Sequence, residues 1–259
     1  MVRSSPKSAL ISFVVLALAG CTHSATPQKN MLTLSVAASL QNAMAEITPA
    51  FERSQPGIQL AFNFGASGTL EQQIERGAPA DVFFSAAPKP MDTLASKGLI
   101  LSDTRRDLLR NQVVLVAPKD GSGPASFREL TDKQVKLIAL GDPVSVPAGD
   151  YGQQTLQSLH LWAAVQSKLV LGKDVRQVLT YVETGNADAG IVYATDANES
   201  AKVRIVESAP EGTHTPVLYP IAVVKDCHNV PAARSLIAFL AGSEASAVFA
   251  RHGFTTVSP

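Results

Sequence analysis

The sequence predicts an α/β fold of two lobes with a cleft between them, and three observations carry that prediction. Short alternating or wholly apolar runs that read as strands are followed repeatedly by amphipathic runs at helical spacing. This alternation occurs in both halves of the chain, and repeated strand–helix–strand units fold with right-handed crossovers onto mostly parallel sheets. Two long apolar runs, 112–117 and 217–224, join the halves. Ligands of such sheets bind beyond the carboxyl ends of strands, where helix N-termini collect.

In the first half, residues 32–37 alternate as a strand. After Ser39, Leu40, Ala43, Met44 and Ile47 recur on one helical face. Thr48-Pro49 predicts a kink or a fresh helix start, since proline is tolerated in a first turn. Gln55-Pro56-Gly57 is a turn, 58–64 alternates again, and Gly65 to Gly68 opens a helix over 69–76 with Leu70 and Ile74 inward. Residues 81–85 form a short, almost wholly apolar strand of the kind covered on both faces. A helix over 91–97 stops at Gly98, and 112–117 is another buried strand.

The second half repeats the theme. A short helix over 127–130 precedes a strand over 136–140 and a turn at Gly141-Asp142-Pro143. Pro147-Ala148-Gly149 leads into a helix over about 150–159. Residues 174–183 are amphipathic, with Val175, Val178, Leu179 and Val182 in helical register. Strands are expected at 190–193, 203–206 and 217–224, the last holding Pro220, and one long final helix at 232–250.

A chain of 259 residues, 46% hydrophobic and 17% charged, can bury a full core. Lysine plus arginine and aspartate plus glutamate each count 22, a balance that argues against nucleic acid, which needs a basic footprint. Any bound anion is then attracted by local dipoles and not by net charge. Residues 1–21 read as an export leader: Arg3 and Lys7 are basic, and 9–19 is an apolar stretch too short for a lasting membrane anchor. Leu18-Ala19-Gly20-Cys21 resembles the lipobox of bacterial lipoproteins, which would make Cys21 the lipidated first residue; the alternative is a plain secretory signal with an incidental cysteine. Polar residues 22–31 read as a linker. Only Cys227 then remains, so no intramolecular disulfide forms. The histidines (His23, His160, His214, His228, His252) are scattered, and neither they nor Cys227 sit at metal-ligand spacing. A half-buried structural thiol is expected of Cys227.

The candidate site rests on two serines placed alike. Ser39 in VAASLQNAM and Ser67 in GASGTLEQQI each follow a strand and precede a helix. Free N–H groups and the positive end of the helix dipole make such a place an anion site, although a plain N-cap is the commoner fate of such a serine. Ala148 and Val175, near helix starts in the second lobe, could face them.

Taken together, SVAASLQNAM (35–44), GASGTL (65–70), GAPADVFFSA (77–86), the DPxxVPAGxY pattern (142–151) and GIVYATDA (190–197) resemble the periplasmic molybdate-binding proteins of ABC-type molybdate importers. The match runs from about 32 to 254 with the motifs in family order. One margin departs: GASG-T stands where some members are richer in serine. The resemblance implies a type II-like periplasmic-binding-protein fold, with lobe 1 at 32–112 and 220–259 and lobe 2 at 113–219. It implies an extracytoplasmic, monomeric protein that binds molybdate and tungstate and delivers them to a membrane permease, without metal cation or organic cofactor. Carried over residue by residue, Ser39 and Ser67 would each offer hydroxyl and backbone N–H, Ala148 and Val175 their backbone N–H, and Tyr193 its phenol. Such an all-donor site suits an ion with no proton to donate, whereas hydrogen phosphate would waste one. Sulfate matches in charge and shape but is smaller, so pocket size must reject it.

Three other readings differ in what they require. A hydrolase would use Ser67 as nucleophile, yet the second glycine of G-x-S-x-G is Thr69, and His214 and His252 lie in no catalytic setting. A sulfate, phosphate or carboxylate binder would keep the fold; carboxylate binders usually supply an arginine, and Arg176 is the one cation near the proposed shell, expected to face solvent or to pair outside it. An envelope sensor or adhesin would use the same oxyanion site.

Overall fold

The computed structural model describes residues 1–2, 30–119, 121 and 123–257. The expected lipidation site Cys21, most of the leader and nearly all of the linker lie outside the described residues. Strands β1 (Asn30–Ala37), β2 (Ile58–Gly65), β3 (Val82–Phe84), β4 (Arg106–Arg110), β10 (Leu218–Val223) and β11 (Thr255–Thr256) form one sheet, ordered β11-β4-β10-β3-β1-β2. Strands β5 (Val113–Pro118), β6 (Ile138–Gly141), β7 (Leu169–Gly172), β8 (Ala189–Tyr193) and β9 (Val203–Ser208) form the other, ordered β7-β6-β8-β5-β9.

The expected two-lobed α/β architecture is present, but its sheets are mixed and not mostly parallel. Pairing is parallel for β1 with β2 and β3, and for β6 with β7 and β8. It is antiparallel around β10 and around β5. The reason is the double crossing between sheets. Strands β4 and β9 run up to the crossing, so β5 and β10 begin beside it and run back the other way.

Both faces of the first sheet are covered. In β3, Phe83 packs with Leu70 and Ile74 of α2 (Ser67–Glu75) and with Met91 and Leu94 of α3 (Pro88–Ser96). Its neighbours Val82 and Phe84 point to the opposite face, as the period of two requires. There Phe84 meets Phe249 of α9 (Ser243–Arg251), and Phe51 of α1 (Gln41–Ser54) meets Phe239 of α8 (Val230–Leu240), both edge to face. Helix α1 continues through Pro49 without the expected fresh start; the preceding Thr48 hydroxyl donates to the Met44 carbonyl at 2.6 Å. The single long C-terminal helix expected over 232–250 is instead two helices bent by 58°. Gly242 breaks it, and Asn229 caps the first half by accepting from Ala232 N–H.

In the second lobe, α4 (Pro147–Ser158) and α6 (Val175–Glu183) pack on β6 and β8, followed by the short α7 (Ala194–Asn198). The expected apolar face of α6 is buried: Val175, Val178, Leu179 and Val182. The sequence reading misses β4, β7, β11 and the one-turn α5 (Trp162–Val165). Strand β4 carries charge at three of its five positions, and β7 is an edge strand whose Leu171 is 50% exposed, so neither shows a clear pattern.

Two features of this lobe set its stability. The start of α4 lies against the end of β6 so closely that a Cβ on Gly149 would sit 2.0 Å from the Gly141 carbonyl oxygen. Gly149→Ala is expected to cost at least about 2 kcal/mol, read as a lower urea midpoint at unchanged m-value. Second, Arg176 Nε lies 2.8 Å from Oδ1 of the fully buried Asp196, close but not aligned as a hydrogen bond. Burial pushes the Asp196 carboxyl up to about 7, with Arg176 opposing and Asp174 and Glu199 adding to the rise. In the unfolded chain it titrates near about 4. The folded state therefore holds this proton in between, and the group's contribution to stability is full below about pH 4 and lost as pH rises towards about 7. Wild-type stability minus that of Asp196→Asn should accordingly shrink across that window and then level off.

Candidate functional site

Helix geometry leaves the first N–H groups of each helix without intrahelical acceptors. Three helix starts and one 3-10 turn bring such groups to the cleft. Ser39 lies in the turn Ala38–Leu40 between β1 and α1; Ser67 is the first residue of α2; Ala148 is the second of α4; Val175 is the first of α6. Tyr193 ends β8. All five line one cavity between the sheets, with Ala86 and Asp174 among its other walls. This cavity is small, with about the room of one water molecule. A roomier cavity of about 400 Å³ lies between β4, β11 and the α8–α9 junction. None of the five residues reaches it, so size alone does not mark the site.

Neither serine acts as a helix cap. The residues preceding the turn and α2 are Ala37 and Ala66, which supply no side-chain cap. Ser67 Oγ instead accepts from Ala86 N–H at 2.9 Å. Ser39 Oγ is 2.9 Å from Tyr219 Oη. Tyr193 Oη donates across the cleft to the Ala86 carbonyl at 3.4 Å, a long bond. Burial holds the phenols of Tyr193 and Tyr219 far above their ordinary range, so both stay protonated. Gly68 N–H of α2 donates to the Ser145 carbonyl of the other lobe at 3.0 Å. Any side chain at position 68 would strike that carbonyl, its Cβ lying 2.8 Å away.

The cavity carries no lysine or arginine among its described lining residues. Arg176 pairs with Asp196 outside it, as expected of that residue. Asp174 is a wall residue, but its Oδ1 is engaged as the N-cap of α6, accepting from Gln177 N–H at 2.9 Å. The aspartate of the GAPAD motif is structural: Asp81 accepts from Thr33 N–H at 2.7 Å and His228 N–H at 2.9 Å. Cys227 is half-buried, and burial pushes its thiol up to about 11, so it stays a thiol. The histidines weighed as bases for Ser67 are not in the cavity wall: His214 bonds to the Thr215 carbonyl, and His252 bridges Glu46 and Glu199.

Sequence reasoning misses Ala86, Tyr219 and Asn111. The first acts only through its backbone. Tyr219 sits inside the apolar run 217–224, where a tyrosine reads as core, and Asn111 joins the lobes just before β5. No local pattern distinguishes them.

Comparison with known proteins identifies the family. Residues 32–255 match the family of bacterial extracellular solute-binding proteins. The chain is 45% identical to a Bacillus subtilis protein provisionally named the ABC transporter substrate-binding lipoprotein YvgL, over 96% of each chain. It is 39% identical to the molybdate-binding protein ModA of Escherichia coli, covering 89% of this chain and 91% of that one. The periplasmic molybdate-binding protein of Azotobacter vinelandii superposes with a TM-score of 0.78 at 25% identity, over 88% of this chain and 99% of the other. This chain belongs to the bacterial extracellular solute-binding protein family.

Proposed function

We propose that this protein captures molybdate, and tungstate with it, outside the cytoplasm and hands the ion to an ABC-type membrane permease. The observation that carries the reading is the convergence itself: five residues from separate segments of both lobes line one small cavity. Their groups are hydroxyls and helix-start amides, donors at any working pH. No cation lines the cavity among the described residues. The names of the ModA relatives point to the same cargo.

Ser39 and Ser67 would each give a hydroxyl and a backbone N–H, Ala148 and Val175 a backbone N–H, and Tyr193 its phenol. Hydrogen bonds to a charged group contribute about 1.5–3 kcal/mol each, so a dehydrated dianion can be held without a countercharge when nearly every oxygen is met. Tyr193 would turn from the Ala86 carbonyl to the ion, exchanging a long neutral bond for a charge-assisted one. Closure of the lobes then completes the shell and excludes water. One chain supplies all five groups, so a monomer suffices. We infer no enzymatic role: no histidine lines the cavity among the described residues, and Ser67 lacks a base. Export by the N-terminal leader, with Cys21 as a lipid anchor, accords with the lipoprotein relative.

Calorimetric titration with molybdate, tungstate, sulfate and phosphate tests the reading; a preference for sulfate or phosphate would overturn the cargo. Ser39→Ala and Ser67→Ala should each weaken molybdate binding by about 1–3 kcal/mol. Tyr193→Phe should cost less, because water entering at the far lobe can take the place of the phenol. Wild-type affinity in both serine variants would refute the assigned roles.

A further inference from the structure

A serine hydroxyl has one proton, and it can face a ligand as donor or as acceptor. What approaches the oxygen from behind decides which. For Ser67 the group behind is the Ala86 N–H at 2.9 Å. An amide N–H only donates, so the Ser67 oxygen accepts and its own proton is left for the cavity.

For Ser39 the group behind is Tyr219 Oη, which can play either part. Asn111 settles the direction. Its Oδ1 accepts from Gln112 N–H at 2.9 Å, which turns the amide nitrogen towards Tyr219 Oη at 3.1 Å and Thr195 Oγ1 at 2.9 Å. That nitrogen can only donate. The Tyr219 oxygen therefore accepts from Asn111, and among the described residues its proton has Ser39 Oγ as its acceptor. The Ser39 oxygen is thereby occupied, and its proton turns to the cavity. Burial keeps the Tyr219 phenol protonated, as the chain of bonds requires.

We propose that Tyr219 and Asn111 are positioning residues: a one-way relay, Asn111 to Tyr219 to Ser39, turns the Ser39 hydroxyl proton towards the ligand. The inference rests on the oxyanion reading given above and goes beyond it, because neither residue lines the cavity. It also leaves the hydroxyl proton of each serine for the cavity.

A double-mutant cycle tests the relay, with sodium molybdate as the probe and calorimetry as the readout. Tyr219→Phe should lower affinity by about tenfold or more in the wild-type background. In the Ser39→Ala background there is no hydroxyl to orient, and the same change should fall within about twofold. Equal losses in both backgrounds, or no loss in the first, would overturn the relay. If Tyr219→Phe does not fold by thermal unfolding, Asn111→Asp takes its place in the cycle. The carboxylate draws the Tyr219 proton away from Ser39, its added charge acts in both backgrounds, and a purely additive result again overturns the proposal. A wild-type chain silent to molybdate, tungstate and sulfate would overturn the oxyanion reading and the relay with it. Binding by the wild type with an additive cycle overturns the relay alone.

Discussion

Helix starts carry N–H groups that their own helices cannot satisfy, and this fold aims three of them and a 3-10 turn at one point. Much of the surrounding architecture follows from that convergence. The helices must approach the strand ends closely, which is why Gly149 lies against Gly141 and Gly172 beside Val178. The lobes must meet without a side chain between them, which is why Gly68 faces Ser145. The unpaired amides are tolerable in a buried cleft only because a solute or water can accept from them. An anion is the acceptor that the dipoles favour most.

A cage of this kind discriminates differently from one built on lysine or arginine. A cation attracts any anion and draws it from a distance; fixed dipoles act only within the first turn and reward an acceptor at each position. The charged groups near this cavity have partners of their own. Arg176 is held by Asp196, and Asp174 is spent on the helix cap. Burying a carboxyl beside the cage is costly, as the raised Asp196 carboxyl shows, and Arg176 is not among the residues that line the cavity.

Much of the fold was legible in the sequence, and the reason is periodicity. Strands β1 and β2 and helix α6 carry patterns that favour one secondary structure over the other. Failures came where pattern and partner separate. The charged flanks of β4 hide a strand held by β10 and β11. The break at Gly242 splits an apolar run that reads as one helix. The antiparallel strands follow from a double crossing that no local window contains. At the site, the motifs brought Ser39, Ser67, Ala148, Val175 and Tyr193 to one cavity. The groups behind them were invisible, since Ala86 contributes only an amide and Tyr219 meets Ser39 across 180 residues.

The position of Asn111 ties the site to the motion of the lobes. It stands where the chain leaves β4 for β5, and its N–H donates to the Val217 carbonyl of the second crossing at 3.3 Å. The same side chain reaches Tyr219 of β10, which lies in the first sheet although the expected second lobe runs over 113–219, and Thr195 of α7 in the second lobe. A hinge residue bonded to both lobes is sensitive to the angle between them, because opening lengthens one bond or the other. The side chain that fixes the direction of the Tyr219 hydroxyl is therefore anchored at the crossing itself, in contact with both halves of the molecule.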